Sequence, residues 1–203
     1  MKKTFQHKVH LSEFTEVERD VIDLQQYIRR NNIEICGIPE SVTKLEKCVL
    51  DIAKAVDIKL STSDIEACHR LNLSKKEKGQ RRVIIRFVNR KFCESFLRSS
   101  KKLRNDAVYT KAGLSQKVFV NNNLCGYNKL LWGKAKAFKN IDLIHKFWCF
   151  NGTINVQINE NDPAIKIKHI NDLSECFPEN DLCVPALSAS RPCLYAGVQG
   201  SPR

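Results

Sequence analysis

Apolar residues along the chain fall into distinct spacings, and each spacing predicts a different element. From Phe14 to Ile28 they recur as Phe14, Val17, Val21, Leu24 and Ile28, alternating steps of three and four. This is a heptad seam, with Glu13, Glu16, Glu18, Arg19, Asp20 and Asp23 on the polar positions. It predicts an amphipathic helix of coiled-coil character. The seam lasts about two heptads, short of the three or four of a self-sufficient coiled coil. It reads either as a helix packed on its own domain or as the C-terminal stub of a longer coil.

Beyond it the period changes. Ile33-Glu34-Ile35-Cys36, ended by Gly37-Ile38-Pro39, predicts a strand and turn. Ser41 is placed to cap a helix from about Thr43 to Asp57, with Leu45, Val49, Ile52, Ala53 and Val56 on one face. A short turn at Thr62-Ser63-Asp64 leads into a strand from Ile65 to Leu71. After a charged loop, Lys75 to Gln80, the run Arg82 to Val88 predicts a strong strand. Asn89 can cap a helix from Arg90 to about Leu103, with Phe92, Cys93, Phe96 and Leu97 inward. Residues 104–116 read as irregular and polar, and Lys117 to Asn121 as a further strand. The order strand, helix, strand, strand, helix, strand is that of a ferredoxin-like (RRM-like) βαββαβ domain. Such domains serve many functions, so topology alone does not assign one.

A smaller unit follows. Cys125 to Asn140 is helical by pattern, with Leu130, Leu131, Ala135 and Phe138 apolar and Lys129, Lys134, Lys136 and Lys139 on the solvent side. Two β-like runs, 145–150 and 153–158, flank Asn151-Gly152, the strongest short-range hairpin signal. Ile165 to Ile170 predicts another short strand. From residue 174 the chain turns to Pro, Ser, Gly and scattered Cys without periodicity, which predicts a disordered tail. The expected fold class is therefore α+β. It comprises a short N-terminal coiled-coil helix (1–30), the RRM-like domain (31–121), a small α/β C-terminal domain with a β-hairpin (122–173) and the tail (174–203).

Charge changes the picture because it is concentrated. The chain carries a net +12, yet between Lys75 and Arg104 twelve basic residues face only Glu77 and Glu94. That window holds an excess of +10, which leaves +2 for everything else. Clustering of this kind points to a polyanionic partner; a solvated helix face and charged loop is the plainer account. No run of about 18 apolar residues occurs, so no membrane span is expected. The polar start, Met1 to His7, predicts no secretory signal. The nine cysteines include no C-x-x-C pair, and several replace apolar residues in periodic segments. They read as reduced thiols of a cytoplasmic and/or nuclear protein rather than disulfides or metal ligands.

Enzyme signatures fail. There is no Gly-rich phosphate loop, no H-E-x-x-H and no G-x-S-x-G. Cys68 and His69 are neighbours that would point to opposite faces of a strand, a poor catalytic dyad. His69 reads as a packed or hydrogen-bonded histidine. No catalytic residue, cofactor, metal or small-molecule substrate is expected.

Four motifs resemble a known family. The run Tyr27 to Glu40 (Tyr-Ile-Arg-Arg-Asn-Asn-Ile-Glu-Ile-Cys-Gly-Ile-Pro-Glu) resembles the entry of a coiled coil into the RRM-like domain of first-open-reading-frame proteins of non-LTR retrotransposons. Asp64 to Leu71 looks like a second motif of the same proteins. Val118 to Leu124, then Asn128 to Leu131 and Phe147-Trp148 to Asn151-Gly152, resemble the C-terminal domain of the baculovirus few-polyhedra (FP) protein family. The similarity spans about residues 15–173. It implies a coiled-coil oligomer whose two domains together hold single-stranded nucleic acid, without catalysis. Two departures stand out: Asn122, where relatives usually carry an acidic residue, and Val156-Gln157, where they carry a basic pair.

An RRM stacks bases on aromatics of its two inner strands. Here the third strand offers only Phe87 and the first none. With Val83, Ile85 and Phe87 inward, Arg82, Ile84 and Arg86 face outward, so binding is expected to be electrostatic and sequence-tolerant. The expected contacts are Arg81, Arg82 and Arg86 on the strand, and Lys75, Lys76 and Lys78 as a mobile arm. Arg29 and Arg30 stand at the coil–domain junction, Arg70 on the adjacent strand, and Lys129 and Lys134 on the second unit. Trp148 would join these last two, although its apolar run reads first as core. The expected partners are single-stranded RNA or DNA and a second copy of the chain through the seam. The competing class is a protein-interaction or structural module acting through coiled coil and C-terminal domain, with charge aiding solubility.

Overall fold

The computed structural model describes residues 16–72 and 79–176. Helix α1 (residues 16–27) comes first. It is followed by β1 (Asn32–Cys36), α2 (Leu45–Ala55), β2 (Ile65–Arg70), β3 (Val83–Phe87), α3 (Arg90–Ser99), α4 (Asp106–Lys111) and β4 (Phe119–Asn122). The four strands form one sheet in the order β2-β3-β1-β4, with every neighbouring pair antiparallel. Alternation then sorts the side chains. Ile33, Ile35, Val83, Ile85 and Phe87 are buried, in one cluster with Val49 and Ile52 of α2 and Cys93 and Phe96 of α3. The rings of Phe87 and Phe96 stack 5.4 Å apart. Each such side chain contributes about 1.5–3 kcal/mol by leaving water. Glu34, Ile84 and Arg86 lie on the other face.

A second sheet carries the rest. After α5 (Gly126–Asn140) come β5 (Lys146–Phe150), β6 (Thr153–Gln157), β7 (Ile165–Ile167) and α6 (Ile170–Cys176), with strands in the order β5-β6-β7, again antiparallel. The molecule is thus α+β with two antiparallel sheets. Asn151 (φ 53°) and Gly152 (φ 81°) both adopt the left-handed conformation that a two-residue hairpin turn of the primed type needs. Leu131, Ala135 and Phe138 of α5 pack in a separate cluster with Phe147, Ile154, Val156 and Ile167. Trp132 meets Phe147 edge-on at 4.6 Å.

Several boundaries differ from expectation. Helix α2 starts at Leu45, not Thr43, and its N-cap is Lys44, which makes no side-chain cap. The chain first closes a turn in which Val42 N donates to Pro39 O, 3.0 Å, so Ser41 cannot reach the helix start. The α-helix after Asn89 ends at Ser99 and tightens into a 3-10 turn over Ser100–Arg104. Residues 104–116 are not irregular: Asn105 accepts from Ala107 N at 3.0 Å and starts α4. The polar residues there are a cap and a solvent face, while Leu103, Ala112 and Leu114 are buried. The last strand stops at Ile167. Its expected end, Ile170, opens α6 instead, with Ile170 N donating to the Tyr127 hydroxyl at 3.1 Å. That helix runs past residue 174 into the stretch expected to be tail; residues 177–203 lie outside the described residues.

Candidate nucleic-acid interface

The end of α1 is fastened by one amide to the segment between β4 and α5 and to the first turn of α5. Gln26 is 7% exposed, and its Nε2 donates to Asn123 O at 3.2 Å. Its Oε1 accepts from Cys125 N at 2.9 Å and Asn128 Nδ2 at 3.1 Å, and Asn128 Nδ2 also donates to Gly152 O at 2.9 Å. A Cβ at Gly152 would run into this bonded amide, so the turn requires glycine for space as well as for φ.

Around this joint opens a cleft of about 620 Å³. Arg29 and Arg30 line it from the α1–β1 junction, Arg90 and Arg98 from α3, and Trp148 and Phe150 from β5. Arg90, Glu94 and Arg98 repeat at helical spacing and so share one face of α3. Trp148 and Phe150 are two apart on a strand and share the face opposite Phe147. The charged lining residues are four arginines and Glu94, a formal +3. Arg90 ties α3 to the hairpin: its Nη2 donates to Asn151 Oδ1, and its Nε pairs with Glu94 at 3.2 Å. Arg30 lies over the Tyr27 ring at 4.9 Å, and Lys146 Nζ over Trp148 at 5.6 Å. Phe150 is 66% exposed.

The fold treats the sequence-expected residues unequally. Arg29 and Arg30 reach the cleft. Four of the nine described cations of the basic window are matched by acids from elsewhere in the chain. Arg81 grips Glu40 (Nη2 to Oε2 2.9 Å), Arg82 pairs with Glu34 at 2.9 Å and Arg86 with Glu66 at 2.9 Å. Lys102 pairs with Asp57 at 2.9 Å, and Lys129 shares Glu34 with Arg82, also at 2.9 Å. Side-chain and backbone hydrogen bonds from Arg81, helped by the nearby Arg70 charge, hold the Glu40 carboxyl down at about 2.

Arg70 leaves the candidate interface. Its side chain is 7% exposed and donates to the carbonyls of Ile38 (3.1 Å), Pro39 (2.6 Å), Val42 (3.2 Å) and Arg81 (3.2 Å), fastening the turn between β1 and α2. Lys134 is half-buried on α5 and does not line the cleft. Lys75, Lys76 and Lys78, like Phe14, lie outside the described residues. Trp148 is not core but half-exposed in the cleft, because the apolar side of its strand is taken by Phe147. His69 is exposed rather than packed, while Cys68 packs against the core. Of the seam, Val17, Val21, Leu24 and Ile28 are 47–62% exposed.

Sequence reasoning missed Arg90, Arg98 and Phe150. The four-residue spacing on α3 and the two-residue spacing Trp148–Phe150 were the available signals. Cys93 and Cys149 border the same cleft, and burial pushes both thiols up to about 12, so they remain protonated and weakly nucleophilic. Among the described residues no group of three or more His, Cys, Asp or Glu is placed to hold a metal, and no helix is long and apolar enough to cross a membrane. No family model matches the chain, and no curated protein matches it significantly.

Proposed function

We propose that the protein binds single-stranded nucleic acid, without catalysing a reaction, in the cleft between α3, the end of α1 and the β5–β6 hairpin. The carrying observation is the convergence of Arg29, Arg30, Arg90 and Arg98 with Trp148 and Phe150. Guanidinium groups bind phosphate oxygens in pairs, and exposed aromatic faces take unpaired bases. The sheet order β2-β3-β1-β4, in a strand-helix-strand-strand-helix-strand chain, supports a ferredoxin-like, RRM-like first domain. On that reading the open sheet face, where an RRM holds RNA, is filled here by the Glu34 ion pairs, and the ligand lies in the cleft instead. The likeness of its motifs to FP and retrotransposon proteins points the same way, and a cytoplasmic or nuclear setting is part of this reading. The lysine arm at 75–78 adds sequence-independent attraction.

The test is fluorescence anisotropy of a single-stranded oligonucleotide across a salt series. Four neutralised phosphates at about −0.7 each give a log–log slope of about −3, so affinity falls roughly fiftyfold for a fourfold rise in salt. A slope near zero would sink the proposal.

The exposed seam on α1 supports a homo-oligomer built through that helix, since among the described residues these apolar side chains join neither of the two cores. Light scattering should give a multiple of the chain mass for the natural protein and the single-chain mass for Leu24→Glu. A natural protein that is monomeric at tens of micromolar removes this part. Oligomers that ignore nucleic acid would favour the interaction-module reading.

A further inference from the structure

We infer that the nucleic-acid strand leaves the cleft along β5, and that Lys146 and Lys166, on the outer face of the second sheet, hold its next phosphates; the inference rests on the nucleic-acid reading above. Alternation along β5 puts Phe147 in the second core and Lys146, Trp148 and Phe150 together on the other face. Strand register extends that face: Trp148 is paired with Asn155, and Asn155 with Lys166. Residues paired across strands share a face. Lys166 therefore stands in the Trp148 row, about 10 Å away at two strand spacings. Lys146 stands about 7 Å from Trp148 along β5. Its Nζ lies 5.6 Å from the Trp148 ring centroid. A cation–π contact at an exposed site is weaker than a charge-assisted bond to phosphate, so the ammonium turns to an arriving phosphate and frees the ring.

Strand β5 is thus a track with a cation at each end. Beyond its hairpin end Arg90 Nη2 donates to Asn151 Oδ1, and at its start stands Lys146, about 17 Å from Asn151 along the strand. Phe150 and Trp148 lie between. The helices of this unit leave the track open: Leu131, Ala135 and Phe138 of α5 and Leu173 of α6 pack in the core on the opposite face. The amides on the outer face are occupied within their own strand and loop. Asn155 Nδ2 donates to Thr153 O at 3.1 Å, and Gln157 Nε2 to Glu160 O at 2.8 Å and Asp162 O at 2.7 Å. The two lysines also differ from Arg82 and Arg86, because among the described residues neither is in an ion pair. The acids nearest to them along the chain are engaged elsewhere. Asp142 meets Lys139 at 3.6 Å, and the Asp162 carboxylate accepts from Asn159 N at 3.2 Å and Nδ2 at 2.7 Å. A base on the Trp148 ring presents a phosphate to either side, one toward the Arg90 end of β5 and one toward the lysines.

The experiment uses the full chain and an oligouridine of about twelve nucleotides. Two further phosphates at about −0.7 each steepen the log–log salt slope from about −3 to about −4. Lys146→Ala/Lys166→Ala should weaken binding about tenfold at about 0.1 M salt and return the slope to about −3. Lys101→Ala/Arg104→Ala removes the same charge from the exposed 3-10 turn of the basic window, outside the cleft lining. That variant should change affinity by less than about threefold, with the slope unchanged. In the natural protein, bound oligouridine should protect Lys146 and Lys166 from acetylation, read by mass spectrometry, more than it protects Lys101. A slope left unchanged in the Lys146/Lys166 variant, or equal losses in the two variants, would overturn the subsite and leave the nucleic-acid reading standing. Lys146 and Lys166 acetylated as fast in the complex as in the free protein would do the same. Absence of binding at any salt would overturn both.

Discussion

Replacing Arg30 and Arg98 together by alanine is expected to weaken binding of a single-stranded oligonucleotide by roughly 30- to 100-fold at about 0.1 M salt. Charge-assisted hydrogen bonds contribute about 1.5–3 kcal/mol each, and exposure at the cleft rim brings the effective value a little below that range, to about 1–1.4 kcal/mol each. Loss of two phosphate contacts should also flatten the salt slope by about 1.4. The matching control removes the same charge elsewhere. Lys102 already pairs with Asp57 at 2.9 Å, and Lys111 is exposed at the end of α4, far along the chain from any lining residue of the hairpin. Lys102→Ala/Lys111→Ala is expected to change affinity by less than about threefold. Anisotropy titrations at fixed salt compare the two, with circular dichroism confirming the fold. Equal losses in both variants would mean that net charge, and not the cleft, attracts the ligand.

The same comparison explains why the basic window misleads when read along the chain. Counting from Lys75 to Arg104 finds only two opposing acids. Folding brings in four more from outside it: Glu34, Glu40, Glu66 and Asp57. Antiparallel pairing is the cause for two of the four, Glu34 and Glu66. Residue Ile84, lying between Arg82 and Arg86, is set directly opposite Glu34, and Arg86 is set beside β2 near Glu66. Cross-strand neighbours neutralise one another at separations that no sequence window captures. Five of the eight described basic residues expected as contacts, Arg70, Arg81, Arg82, Arg86 and Lys129, are held in ion pairs.

What was legible is what depends on local chemistry. Asn89 caps α3, Asn151-Gly152 makes the hairpin turn, and the alternation of Val83 to Phe87 sorts inward from outward faces as its period requires. Helix α4 was not legible, because a six-residue helix with a polar solvent face leaves almost no period to detect. Nor was the cleft. Its arginines and aromatics are drawn from near residues 30, 90 and 150, and they converge only in the fold, where Gln26 fastens α1 to the segment leading into α5 and Arg90 ties α3 to the hairpin. Trp148 shows the limit most clearly: a run of four apolar residues, 147–150, hides which alternate positions are buried until the second sheet supplies a core for Phe147.

The largest effect on stability is expected at Glu34, and its size should depend on which partner is removed. Arg82→Leu/Lys129→Leu strips both cations and leaves a carboxylate that is 4% exposed, supported among the described residues by Asn123. Breaking a buried pair in this way costs about 3–5 kcal/mol. Glu34→Leu alone should cost less, about 1–3 kcal/mol, because Arg82 and Lys129 are 22% and 39% exposed and can turn to water. The triple variant, with all three replaced, should recover most of the loss of the double variant, since an apolar cluster of similar volume avoids the burial of any charge. Urea denaturation gives the order; a double variant as stable as Glu34→Leu would show that the carboxylate is not the costly group.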